Sequence, residues 1–398
     1  MSFKKDFPIF KNNPDLVFFD STSTTQKPEY VIDWVKKYLE NDYSNIHRGM
    51  YDIAIHSEKL YKKSKEIVAR HIWASDIKEI IYTYNSTYAS NLLTSSLKKS
   101  NYLKAWDKVL LSIVEHHANL VPWLILKEEI GIEIEFIWID DDYNLDLKDF
   151  DDKYDEKVKV IALTHVSNVT GQIFDLEEIW KRKRDDTLFV VDASQSVPHM
   201  RVDVKKLNCD ALFFTGHKVL ALSGIWVLWW KKDLLNELTP SFSWGWAIWE
   251  VTCDKYSNAW LPDKFEPWTP NVVWAVSLLR AFEYIEWIGG FEEIEEKEAE
   301  LIEYFLEKLK TFENIELMWS YKKKNRVWVF SIVINNYHSD DVAELLADKG
   351  IAVRSGKHCA HPFFTKSWYA NSVRVSLYLY NTKKDIDKFF DVISNLKK

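Results

Sequence analysis

The sequence predicts an α/β fold: a large, mostly parallel sheet covered by helices, followed by a smaller α+β domain. Three observations carry this reading. From residue 15 to about 290, near-continuous apolar runs alternate with amphipathic helical stretches, the pattern of a sheet buried on both faces. After 290 the texture changes to charged helices set between short strands. Polar, chemistry-bearing residues fall directly after apolar strands, at the carboxyl ends where open parallel sheets bind ligands.

The expected strands of the large domain are Val17–Asp20, Val109–Ile113, Ile132–Ile137, Val158–His165, Leu188–Asp192, Ala211–Thr215 and Trp226–Trp230. Each is a short run rich in β-branched and aromatic residues. Helices are expected between Ser57 and His71, with Ser57 as its cap, and from Ser86 to about Lys98. The second domain reads as a charged helix Glu292–Lys310, a strand near Ile315, a strand Val327–Ile334, a helix Asp340–Lys349, a strand Val373–Leu377 and a closing helix from Lys383. This divides the chain into a large domain, 15–290, and a small one, 291–398, with residues 1–14 packing on the latter.

The chain has 398 residues, 47% apolar and 28% charged, enough to bury a large core. A net charge of -8 argues against nucleic acid as a partner, since phosphate contacts need a basic face. The basic runs Lys181–Arg184 and Lys322–Lys324 read as solvated surface. Met1 to Phe10 has no apolar signal core, and the longest apolar run, around Val219 to Trp230, is too short for a bilayer. The expectation is a cytoplasmic protein without membrane contact. Three cysteines without CxxC spacing disfavour a disulfide framework or a zinc knuckle. Cys209 reads as core filler, whereas Cys359 lies among cationic groups in Arg354-Ser355-Gly356-Lys357-His358-Cys359-Ala360, which favours a thiolate.

Asp192 and Lys218 each follow a buried strand, and an acid and an amine aimed into one crevice suit pyridoxal phosphate (PLP). The amine would bind the cofactor covalently, and the carboxylate would keep the pyridine nitrogen protonated. Thr83-Tyr84-Asn85-Ser86-Thr87 opens a helix whose N-terminus suits a phosphate. His116-His117 has no further ligand at helical spacing, so no metal site is expected and stacking on a cofactor ring is the better reading. Asn168 is another polar residue at a strand end, and Arg374, inside an apolar strand, requires a carboxylate partner.

With these residues in view, the chain resembles the class V aminotransferase-fold family, specifically the SufS-type (group II) cysteine desulfurases, over nearly its whole length. The matching stretches are Gln26-Lys27-Pro28, His47-Arg48-Gly49, Glu115 to Trp123, Ser167-Asn168-Val169, Val191 to Gln195 with Pro198-His199, Gly216-His217-Lys218, Ile351 to Arg354 with Gly356, His358-Cys359-Ala360 and Tyr380-Asn381-Thr382. The resemblance implies an aspartate aminotransferase-like, fold type I, PLP-dependent transferase. By it, Lys218 carries PLP, Asp192 partners the pyridinium, and His116 stacks on the ring and relays protons. Gln195 and Asn168 address the phenolic oxygen and its surroundings. Ser86, Thr87, Thr215 and His217 hold the phosphate, helped by Thr269 of the second subunit of a homodimer. Arg374 clamps the carboxylate of L-cysteine with support from Arg354, and Cys359 takes its sulfur as a persulfide. A SufE- or SufU-like acceptor feeding iron–sulfur cluster assembly is implied too. A selenocysteine lyase or other β-eliminating enzyme on the same fold is the alternative, and a catalytically silent scaffold is a third reading.

Several positions depart from the family pattern. Lys357, His361, Ala221-Leu222 and Ala247 replace its usual residues, which bears on loop geometry and docking. More broadly, 10 Gly stand where about 28 are expected at a usage of about 7%, beside 19 Trp. Trp226, Trp230, Trp244, Trp246, Trp268 and Trp274 fall where the family has glycine or another small residue, and Trp73, Trp106, Trp319 and Trp368 look alike. Trp123 is a genuine family tryptophan. The expectation is a source that reads UGA as glycine; a truly Trp-rich protein is the alternative.

Overall fold

The computed structural model describes residues 3–396, apart from Asp141, Trp244, Trp268 and Lys323 and the side chains of Ser86 and Thr87. Seven strands form the central sheet: β1 (Ile80–Thr83), β2 (Lys108–Ser112), β3 (Glu133–Ile137), β4 (Val158–Thr164), β5 (Leu188–Asp192), β6 (Ala211–Thr215) and β7 (Trp226–Trp230). Their order is β1-β7-β6-β5-β4-β2-β3. Strands β2 to β6 pair in parallel, while β7 runs antiparallel to both β1 and β6. Successive side chains point to opposite faces. Accordingly Leu110, Ile161, Val191 and Leu212 join one apolar cluster, while Val109, Val160, Val190 and Phe213 join the other. Both faces being covered, β5 and β6 are buried at every position, which is why they read as unbroken apolar runs.

The large sheet is flanked by α1 (Asp52–Ile72), α2 (Ser86–Lys99), α3 (His117–Ile130) and α4 (Val272–Trp287), and α5 (Gly290–Leu309) leads onward. Then come β8 (Ile315–Leu317), β9 (Val329–Ile334), β10 (Arg354–Gly356) and β11 (Ser372–Ser376), an antiparallel sheet in the order β8-β9-β11-β10. Phe305 of α5 stacks on Phe330 of β9 with ring centres 4.1 Å apart. Near the N-terminus, Phe7 and Phe10 pack against Tyr380 at 4.9 and 5.1 Å.

Two expectations need correction, and one strand was not expected. Helix α1 starts at Asp52, not at Ser57: the Ser57 hydroxyl is buried inside the helix, where it donates to the Asp42 carbonyl at 2.7 Å. The first strand covers only Val17–Phe18 and pairs with Ile351–Ala352 rather than joining the large sheet. Strand β1 is missed, because its four residues run directly into the cap of α2.

The basic runs are engaged in surface ion pairs, such as Lys181 with Glu177 and Lys322 with Asp142. Cys209 is buried in the core, where burial pushes its thiol pKa far up. No helix among the described residues is long and apolar enough to cross a membrane.

Candidate active site

Strands β5 and β6 are neighbours, and each delivers a polar group at its carboxyl end. Asp192 closes β5, almost wholly buried, and its carboxylate accepts the Ser194 N–H at 2.9 Å. Burial raises the Asp192 pKa, while hydrogen bonds from Ser194 and the charge of Lys218 pull it back. After Thr215 the chain turns through Gly216–Lys218, a single 3₁₀ turn. Any side chain at Gly216 would meet the Ile225 carbonyl at 2.8 Å, so glycine is needed for the turn to close against the start of β7.

The Lys218 side chain is half-buried and its amine is desolvated. Burial is the main cause that lowers its pKa from 10.5 to about 8. Asp192 and Cys359 act in the opposite direction, and Arg374 and Arg354 reinforce the lowering. The strands that deliver Asp192 and Lys218 pair in parallel, which sets the acid and the amine at adjacent strand ends.

Arg374 lies on β11, 3% exposed, directly opposite Arg354 of β10 in the strand register. It donates to Asp20 Oδ1 at 3.2 Å, Ser23 Oγ at 2.8 Å and the Asn168 carbonyl at 3.1 Å. Its Nε is buried without a partner among the described residues. Arg354 is exposed and approaches Asp20 Oδ2 at 3.6 Å. Two guanidiniums sharing one carboxylate retain a net positive charge, suited to a substrate carboxylate.

Cys359 is exposed, on backbone of positive φ at both His358 and Cys359. The loop is tied down on three sides. Its carbonyl accepts the His117 N–H at 2.8 Å, Asn168 Nδ2 donates to the His358 carbonyl at 2.8 Å, and His358 Nε2 pairs with Ser372 Oγ at 2.9 Å. The thiol is presented by a fixed loop rather than a free one.

His116 caps α3, its Nδ1 accepting the Ala118 N–H at 3.0 Å. Burial, then Lys218, His117 and Arg374, lowers its pKa to about 3. The neutral ring, with Nδ1 accepting, carries its proton on Nε2. Gln195, buried, donates to the Thr22 carbonyl at 3.0 Å. His217 lies 5.1 Å from the Trp226 ring, and burial lowers its pKa to about 3. Ser86 and Thr87 open α2 behind its Asn85 cap, their side chains outside the described residues. Thr269 is exposed and lines a separate hollow with Tyr43, Asn45, Tyr84 and Asn271, so the chain itself does not bring it to Lys218. Trp244 and Trp268 lie outside the described residues.

Together these groups fit pyridoxal phosphate: a desolvated amine, a buried acid and a neutral imidazole. Thr215 Oγ1 adds a buried hydroxyl without a partner among the described residues. No cluster of metal-ligating side chains occurs among the described residues.

The residue reading misses several supports. Asp20 and Ser23 hold Arg374. Glu115, buried, accepts from Asn119 at 2.7 Å, from the Thr164 N–H at 2.9 Å and from Ser112; burial raises its pKa to about 7. His117 packs its ring against His361 at 4.6 Å beside the Cys359 loop. The signal was present for Asp20, a polar residue ending an apolar run, but not for the others.

Residues 17–389 match the aminotransferase class-V family. A Synechocystis sp. protein named "Probable cysteine desulfurase" is 36% identical over 391 residues, covering 97% of this chain and 93% of that protein. One of the same name from Halalkalibacterium halodurans is 37% identical over 390 residues, covering 96% and 94%. Among solved structures, the apo cysteine desulfurase from Thermococcus onnurineus superposes with a TM-score of 0.93 at 35% identity, covering 99% of this chain and 96% of that one. The chain belongs to the aminotransferase class-V family.

Proposed function

We propose that this member of the class-V family is a pyridoxal-phosphate-dependent cysteine desulfurase of the SufS type, in which Cys359 takes the sulfur of L-cysteine and yields it to a protein acceptor. The desulfurase activity and the cofactor rest on the full-length relatives and on the type I fold they share with it. The assignment of residues rests on one observation: the strands that deliver Asp192 and Lys218 are parallel neighbours, and Asn168 ties Arg374 to the Cys359 loop, its carbonyl accepting from the guanidinium and its Nδ2 donating to the His358 carbonyl.

Lys218 would hold pyridoxal phosphate through its amine, with Asp192 at the ring nitrogen, His116 against the ring, and Gln195 and Asn168 near the phenolic oxygen. Thr215, His217, Ser86 and Thr87 would serve the phosphate, with Thr269 of a partner subunit completing the site in a homodimer. When bound, the cofactor supplies an electron sink that makes bonds to the substrate's carbons labile. Arg374 and Arg354 orient the L-cysteine carboxylate, which brings the substrate sulfur toward the Cys359 loop. The Cys359 thiolate attacks that sulfur. An S–S bond forms, the Cβ–S bond breaks, and its electron pair with a proton leaves alanine and a Cys359 persulfide. His116, neutral with its proton on Nε2, is placed to hand a proton over without carrying permanent charge. The exposure of Cys359 lets an acceptor of the SufE or SufU kind reach the persulfide and carry sulfur to iron–sulfur cluster assembly.

The test is to load the purified protein with pyridoxal phosphate and supply L-cysteine. Alanine should form with one extra sulfur on the Cys359 peptide by mass spectrometry. Alanine formation that survives Cys359→Ser overturns the reading. A larger rate with selenocysteine, unaffected by that substitution, supports a lyase instead.

A further inference from the structure

The His217 carbonyl, one residue before Lys218, accepts four hydrogen bonds from the N-terminal segment. The donors are the Thr25 N–H at 3.1 Å, Thr25 Oγ1 at 3.0 Å, Thr24 Oγ1 at 3.3 Å and Lys27 Nζ at 2.9 Å. Thr25 Oγ1 also accepts the Leu220 N–H at 3.0 Å, so both ends of the turn bearing Lys218 are gripped. Lys27 donates a second bond to the Thr25 carbonyl at 2.6 Å. Burial is what lowers its pKa, to about 7, with no carboxylate acting on it among the described residues. A desolvated amine costs more than surface placement, and its hydrogen bonds to the two carbonyls offset part of that cost. The same segment holds Arg374 through Asp20 and Ser23, and Gln195 through the Thr22 carbonyl.

We propose that Lys27 is a positioning residue: its amine, with Thr25, clamps the His217 carbonyl and thereby fixes where the Lys218 amine sits. This rests on Lys218 carrying pyridoxal phosphate. The groups facing Lys218 are Asp192, Arg374, Arg354, Cys359, His116 and His217, all left in place by a change at Lys27.

The experiment compares wild type, Lys27→Met and Lys27→Arg as holoenzymes, by the pH titration of the visible absorbance of the bound cofactor and by its release on dialysis. Lys27→Met should move the midpoint upward by about one unit and speed release about tenfold. Lys27→Arg should restore most of both, with circular dichroism unchanged. An unchanged midpoint and release rate in Lys27→Met overturns the clamp, as does a change that Lys27→Arg leaves unrestored. If Lys27→Met does not fold, Thr25→Val decides: a smaller shift in the same direction supports the clamp, and no shift overturns it. A wild type that takes up no cofactor on Lys218 instead sinks the functional reading beneath it.

A second, independent observation concerns three tryptophans. Trp73 closes α1 at φ 57°, ψ 31°, Trp106 sits at φ 73°, and Trp368, just beyond the helix His361–Lys366, at φ 65°. They are 51%, 69% and 95% exposed. Gly131 closes α3 at φ 78°, ψ 30°, the same turn with the residue that suits it. We infer that Trp73, Trp106 and Trp368 are glycines in the protein its source makes, encoded by UGA read as glycine. Mass spectrometry of peptides from the source, beside the coding DNA, tests this. UGA codons with glycine masses at the three positions are expected, and tryptophan recovered at any of them overturns it. Trp319, grouped with them by sequence, differs: it is buried and its Nε1 donates to Gln172 at 3.2 Å.

Discussion

In the crevice, the charged ends of Lys218, Asp192 and Arg374 are desolvated at electrostatic cost, and each has a neighbour that answers it: Asp192 for Lys218, Ser194 for Asp192 and Asp20 for Arg374. At the turns closed by Trp73, Trp106 and Trp368 the cost is in the backbone, and their exposed indoles gain little packing to answer it. A left-handed residue with a side chain costs roughly 1–2 kcal/mol, and a largely exposed indole returns little toward it. Strain that is compensated marks function, whereas strain without compensation points to a residue that does not belong there.

The sharpest way to break this contrast lies on its functional side. Cys359→Ser should reduce alanine formation from cysteine by about a thousandfold or more while leaving stability within about 0.5 kcal/mol, because the side chain is exposed. Amino-acid analysis of the reaction and a urea unfolding curve check both halves. Trp123 supplies the structural counterpart. Fully buried, it is a tryptophan whose packing is real, and Trp123→Ala should cost about 3–5 kcal/mol, read from the urea midpoint.

A third test uses pH. The amine that captures the cofactor must be unprotonated, and Lys218 has its pKa lowered to about 8. Uptake of pyridoxal phosphate should therefore rise with pH and level off above about 8, with about fiftyfold between pH 6 and 8. His116, lowered to about 3, should add no step in that range. A stopped-flow series of absorbance traces reads this directly, and a midpoint near 10.5 would mean that the amine is not desolvated.

What was legible in the sequence divides along similar lines. Asp192, Lys218 and Arg374 could be read because each interrupts or ends an apolar run, and a charge in such a place needs a reason that local pattern alone exposes. Asp20 also ends an apolar run, but neither its role nor those of Lys27 and His117 follow from local pattern, because their partners lie far away in the chain: Lys27 meets His217 across 190 positions and Asp20 meets Arg374 across 354. Most large-domain strands were legible because burial on both faces leaves them mainly apolar, with polar residues largely at their ends. The start of α1 was not, because Ser57 is as good a buried hydroxyl as it is a cap, and only the carbonyl of Asp42 decides between them. The tryptophans were suspect by composition, but which of them strain the chain appears only in φ.

The smallest expected effect tests the other side of the comparison. Trp368 and Trp73 each occupy a left-handed position at a helix end, where glycine has no Cβ to crowd the preceding carbonyl. Glycine there gives up some unfolded-state entropy, roughly 0.5–1 kcal/mol, against the 1–2 kcal/mol of relieved strain. Trp368→Gly, at a side chain that is 95% exposed, should therefore stabilise the protein by about 1 kcal/mol or slightly less, and Trp73→Gly by a similar amount. The two sites are on different helices, so the double variant should add. Urea midpoints at constant slope measure it, and a loss of stability in either single variant would show that its indole packs usefully after all.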